Sequence, residues 1–248
     1  MQYGNAKSAC LLTFLLFGCA NTGPEKPLSK VSNEEVIKLK SGGYVKTQSF
    51  QLLETDYQAP SDTVLRVITK SDTSSVAAAK AATFLLTVLL GGNTSQSTFS
   101  KHDLKGSKIN TVGNPSVDYF LPNINRVIKD SLYVKDNADY RNYPLSIRYF
   151  EFYLVYTELA GSSNYELIYA MNVSASNSGN YKFDCSFTTG SYPLDEWSLS
   201  GYQKVKDIVK SKLDGCIIEF GKESNLKLLA SDLESIKKKT LKINKYPT

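Results

Sequence analysis

The chain has 248 residues, 42% of them hydrophobic and 21% charged, a globular balance that excludes disordered and collagenous classes. A single His excludes His-rich metal sites and paired-His acid–base chemistry, so Ser-His-Asp catalysis would rest on His102 alone. The formal charge of +5 overstates the basic character of the body: residues 19–236 hold 23 basic and 24 acidic side chains, a net charge of −1. Nucleic-acid binding needs a positive field over the folded face, and here the excess sits at the C-terminal end, so no nucleic-acid partner is expected.

Residues 1–8 are polar with Lys7 as their only charge, and residues 10–17 are an almost unbroken apolar run, too short to span a bilayer. This is the geometry of an export signal. The run ends in Leu16-Phe17-Gly18-Cys19, which resembles the lipobox of bacterial lipoproteins: an apolar residue, a variable one, a small one and then the modified cysteine. The resemblance implies a signal peptide over residues 1–18, cleavage after Gly18 and acylation of Cys19, which makes membrane lipid the first partner. Ala20, where an Asp would retain the protein at the inner membrane, implies delivery to the outer membrane with the domain facing the periplasm. One acyl chain binds only marginally at ~0.8 kcal/mol per buried CH₂, whereas two or three make release negligible. Residues 19–31, with Pro24 and Pro27, have the composition of an acylated tether.

The remainder divides into a single α+β domain over residues 32–236 and a basic tail over 237–248. Ser32 followed by Glu35 has the spacing of a capping box, which predicts a short helix carrying Val36, Ile37 and Leu39 and ended by Gly42-Gly43. Residues 44–53 and 63–69 read as strands separated by the turn signal Pro60-Ser61-Asp62. Residues 76–90 then form a segment with only Lys80, Thr83 and Thr87 as polar groups. As a helix at ~1.5 Å per residue it reaches about 22 Å, short of a hydrocarbon core. Apolar on all sides, it reads as a buried helix. A second reading is a membrane-dipping or self-associating element, with Ala79, Thr83 and Thr87 as a small-residue stripe and Leu85 and Leu89 beside it, and a β-hairpin is a third.

Residues 91–114 are rich in Gly, Asn, Thr and Ser and read as a long loop. Asn114-Pro115 signals a helix start, and Phe120, Ile124, Val127, Ile128 and Leu132 recur at helical spacing; Pro122 should kink this helix or move its start to Leu121. Residues 147–159 place aromatics on both alternating faces, the pattern of a central strand. Residues 165–173 and 181–188 repeat the strand signal around Ser178-Gly179-Asn180, which predicts an antiparallel meander. Tyr202, Val205, Ile208, Val209, Leu213, Cys216 and Ile217 form the apolar stripe of a helix covering a sheet. Leu226, Leu229, Leu233 and Ile236 mark a last amphipathic helix. The predicted fold is therefore α+β: an antiparallel sheet covered by amphipathic helices, with one strongly apolar helix.

Few residues invite chemistry. In an oxidising compartment the thiols Cys185 and Cys216 invite pairing, with two buried thiols as the alternative. No CxxC is present to lower a thiol pKa. His102-Asp103 lacks a GxSxG partner, and Ser235 to Lys238 matches SxxK spacing in a Lys-rich helix end without companion motifs. Asp195 and Glu196 precede the covering helix and suit its positive end. Lys237, Lys238, Lys239, Lys242 and Lys245 would either touch anionic head groups or form a solvated helix end. No catalytic residue, metal ligand or cofactor is assigned.

The sixteen tyrosines supply contact area at low entropy cost, as recognition surfaces do. These features point to a membrane-anchored, non-catalytic binding or assembly component of the envelope with an envelope protein as partner. The alternatives are a periplasmic immunity lipoprotein that neutralises a toxin, a homo-oligomerising subunit that inserts residues 76–90 into a membrane, and an enzyme built on scattered carboxylates.

Overall fold

The long aromatic strand expected around residue 150 organises the domain. In the computed structural model, which describes residues 29–54, 60–73, 104–135, 138–175 and 180–243, the elements follow in chain order. Four strands come first: β1 (Ser29–Lys38), β2 (Tyr44–Leu52), β3 (Val64–Ile68) and β4 (Ser107–Gly113). A wide π-type turn (Ser116–Phe120) leads into α1 (Leu121–Ser131), and then β5 (Asp139–Tyr156), β6 (Asn164–Ala175) and β7 (Lys182–Pro193) complete the sheet. The chain ends in α2 (Leu194–Phe220) and α3 (Glu223–Ile243). The class is α+β, as expected.

The sheet is mixed rather than antiparallel. β5 pairs antiparallel with β6, and β6 with β7, which is the predicted meander. The other edge of β5 is shared by two strands lying end to end. β2 runs parallel along its first part, from Tyr44↔Asp139 to Gln51↔Tyr149, and β3 runs parallel along its last part, from Arg66↔Tyr153 to Ile68↔Val155. Parallel pairing needs a long crossover, and α1 supplies it between β4 and β5. That partnership is set by distant residues, so no hairpin signal announces it.

Where β2 stops and β3 has not begun, Ser61 and Asp62 close the gap. Ser61 accepts from Leu52 N–H at 2.7 Å and donates to the Tyr149 carbonyl. Asp62 N–H donates to the Phe150 carbonyl, and the Asp62 carboxylate accepts Phe152 N–H, each at 3.0 Å. An unpaired backbone group here would be buried at a cost of about 1–3 kcal/mol, so the expected turn signal also patches the sheet edge.

Four local expectations are corrected. The capping-box helix over residues 32–41 is instead β1, paired antiparallel with β2; Gly42, at φ +92°, ends a hairpin turn rather than a helix. The Glu-rich segment has helical propensity, but the ladder to β2 outweighs it: Ser32 Oγ lies 2.7 Å from Ser49 Oγ, and Glu35 accepts from Asn125 of α1 at 2.6 Å. The loop expected over 91–114 contains β4, a mostly exposed strand whose weak alternation hides it until it pairs with β3. The last helix continues through the expected boundary at 236 to Ile243, and β1 begins at Ser29, inside the expected tether.

The helix expectations otherwise hold. α1 starts at Leu121, with Pro122 in its first turn, where no donor is needed, and it buries Ile124 and Ile128. In α2, Val205, Val209, Leu213 and Phe220 are buried. Its first turn is set apart by an extended Leu199 followed by left-handed Ser200, Gly201 and Tyr202. Leu226, Leu229, Leu233 and Ile236 of α3 are all buried.

Candidate functional site

Register decides which side chains share a face. Ser49, Ile147 and Val173 lie in one cross-strand row, and Tyr149, Met171 and Cys185 in another. These rows face the helices, because Glu35, opposite Thr47, reaches Asn125 of α1. Cys185 is 1% exposed and bonded to Cys216 of α2, with the Cα atoms 5.9 Å apart across 31 residues. The expected pair is thus brought together, and it ties the edge strand β7 to its covering helix.

On the opposite face the rows read Val31, Phe50, Arg148, Asn172, Asp184 and Glu34, Gln48, Ser146, Ser174, Lys182. Among the described residues the helices pack on the other side. Cations here lie over rings: the Arg148 guanidinium is 5.9 Å from the Phe50 centroid, and that of Arg141 is 5.2 Å from Tyr44. Hydrogen bonds from Arg141 hold the Asp139 carboxyl down to about 2. Glu34 sits below its ordinary value because Gln48 donates to it and Lys46 lies 3.4 Å away. Val31 and Val36 remain 43% and 49% exposed. The surface is amphipathic and locally charge-balanced.

A buried polar cluster lies at the lower end of β5. Arg66 donates to the Asp62 carboxylate from Nε at 2.8 Å and from Nη2 at 3.2 Å, donates to the Leu104 carbonyl, and stacks 4.6 Å from the Tyr153 centroid. Asn114 donates to the Asp62 carbonyl at 2.7 Å and accepts from Ser116, whose hydroxyl meets that of Tyr169 at 2.6 Å. Burial pushes the Tyr153 and Tyr169 phenols well above their ordinary value. The Asp62 carboxylate, 7% exposed, already accepts three hydrogen bonds, so its chemistry is structural: it holds β3 against β5. Sequence reasoning read Asp62 and Asn114 only as turn and helix-start signals; the four-residue step from Asp62 to Arg66 was the one trace of the pair.

The remaining candidates scatter. Ser235 and Lys238 line a shallow depression along α3 with Glu234 and Lys239, while Lys237 lies 5.3 Å from the Tyr140 centroid. Asp195 and Glu196 occupy the first turn of α2, where Glu196 pairs with Lys204. Cys19, Ala79, Thr83, Leu85, Thr87, Leu89, His102 and Asp103 lie outside the described residues. No described helix is long and apolar enough to cross a membrane, and no metal-ligating cluster occurs among the described residues. No protein-family model, curated protein or solved structure matches this chain.

Proposed function

We propose that this chain is an exported, lipid-anchored envelope protein that acts by binding a protein partner. The observation that carries the reading is the Cys185–Cys216 bond. Cytosolic thiols are kept reduced, so a disulfide holding sheet to helix suits an oxidising compartment, the destination that residues 1–19 predict independently. Acyl chains at Cys19 would keep the domain at a membrane, with the helix-free sheet face available to the partner.

Two measurements test this. Labelled palmitate should enter the wild-type chain and not Cys19→Ser, and the variant should move to the soluble fraction. Photo-crosslinkers at Asn172 and Asp184 on the helix-free face should give a discrete envelope adduct that a crosslinker at Lys222 does not. Absence of label, or unchanged membrane retention of Cys19→Ser, overturns the anchor; equal or absent adducts at all three positions overturn the binding role.

A further inference from the structure

The Cys185–Cys216 bond joins two sulfurs in unequal surroundings. Cys185 is 1% exposed, inside β7, in the row with Tyr149 and Met171 that the helices cover. Cys216 is half-buried on the rim of α2, three residues on from buried Leu213. Around it Asp214, Gly215, Ile218 and Glu219 are exposed. A Cβ placed on Gly215 would meet no atom within 4 Å, so the approach to α2 beside Cys216 is open.

Thiol–disulfide exchange proceeds by attack of a thiolate on a disulfide sulfur, so access decides which of the two sulfurs a foreign thiol or disulfide meets. With α2 docked on the sheet, that sulfur is Cys216. Cys185 is shielded from a bulky reagent, yet its Cα stands 5.9 Å from that of Cys216, within the span a disulfide bridges without backbone movement. One cysteine is placed to exchange and the other to resolve. On the reading above, residues 1–18 are removed and Cys19 is acylated, which leaves this pair as the only thiols of the four in the sequence. Two thiols pair in one way, so closure requires an oxidant and no isomerase.

We infer that Cys216 is the exchange site and Cys185 the resolving thiol in closure of this bond, with a disulfide-carrying thiol oxidase of the envelope as the reaction partner. The Cys216 thiolate attacks one sulfur of the oxidase disulfide; a mixed disulfide forms, and the other oxidase sulfur leaves as a thiolate. The Cys185 thiolate then attacks the Cys216 sulfur, which closes the Cys185–Cys216 bond and releases the second oxidase thiolate. The protein dithiol gives up two electrons and two protons, and the oxidase disulfide takes them up as a dithiol. Reduction retraces the path, so a foreign thiol that opens the bond attaches to Cys216 and frees Cys185. This assignment rests on the oxidising compartment proposed above and adds the class of reaction that must act there.

The test uses the full chain, oxidised and in detergent micelles, so that the fold is intact at the start. Reduced glutathione is added for a short interval, free thiols are blocked with N-ethylmaleimide, and peptide mapping locates each adduct. Glutathione on Cys216 with maleimide on Cys185 should exceed the reverse arrangement about tenfold. In urea the two arrangements should fall within about twofold of each other, because unfolding removes the difference in access. In the closing direction, glutathione disulfide should modify reduced Cys185→Ala at Cys216 about tenfold faster than it modifies reduced Cys216→Ala at Cys185. The wild-type arm decides the question whether or not the alanine variants fold. An equal distribution in the folded chain, an excess of glutathione on Cys185, or no adduct until urea is added overturns the assignment. So does a bias that persists in urea, which would trace to local sequence rather than to burial. Failure of the anchor reading shows separately, as missing palmitate on the wild-type chain; failure of the exchange assignment leaves that label in place.

Discussion

Opening the Cys185–Cys216 bond offers the sharpest check on the architecture, because its effect follows from the unfolded chain as much as from the folded one. The bond closes a loop of 31 residues. Chain-entropy arithmetic for that length gives about 12 cal/mol/K, or roughly 3.7 kcal/mol at 25 °C, for a bond that adds no strain to the native state. For a domain of this size that corresponds to a fall of about 7–15 °C in Tm. The assay is urea unfolding of three forms: the oxidised chain, the chain under reductant, and Cys185→Ala/Cys216→Ala. Alanine is preferred to serine because Cys185 is buried and a hydroxyl there would add its own penalty. Reduced and substituted forms should agree within about 1 kcal/mol and both lie well below the oxidised form. If oxidised and reduced chains unfold within about 1 kcal/mol of each other, the loop is not closed between β7 and α2 and the covering helix is misplaced.

Removing the Asp62 carboxylate leaves the Arg66 guanidinium without its counter-charge and the buried Phe152 N–H without its acceptor, so Asp62→Ala should cost about 3–5 kcal/mol; Asp62→Ala/Arg66→Met should cost less than the sum of the two single changes in a denaturant cycle. A Cβ at Gly190 would stand 2.4 Å from Trp197 Cζ2, on a backbone at φ +79°, so Gly190→Ala should cost on the order of 2–3 kcal/mol and shift the fluorescence of the one tryptophan; a loss below about 0.5 kcal/mol would contradict the packing. Burial raises the phenols of Tyr153, Tyr169 and Tyr181 in the folded state, whereas unfolded tyrosine ionises near ~10. Their contribution to stability is therefore complete below that pH and lost as pH rises past it. Absorbance at the tyrosinate band should show a class of tyrosines that ionises only together with unfolding, and a full, smooth titration of the native protein would contradict this.

Elements with strong local periodicity were legible. The apolar steps in α1, α2 and α3 and the alternation in β5, β6 and β7 bury side chains directly, so spacing alone reveals them. Pro122 moved the start of α1 to Leu121 for a reason intrinsic to proline. β1 and β4 were not legible, because both are exposed edges with little to bury: the first carries a Ser-to-Glu step that mimics a helix cap, and the second lacks a hydrophobic face.

Composition and order determined the class of this protein, an α+β domain, and they shaped the expectations of a Cys185–Cys216 pair and an acyl anchor at Cys19. Tertiary structure alone decided that β2 and β3 share one edge of β5, that Asp62 bridges the gap between them, and that Cys185 and Cys216 come within bonding distance. The reason is range: helical and strand periodicities are written within a few residues, whereas strand partners, the Asp62 bond to Phe152 and the Cys185–Cys216 bond form between groups that only a closed chain brings together.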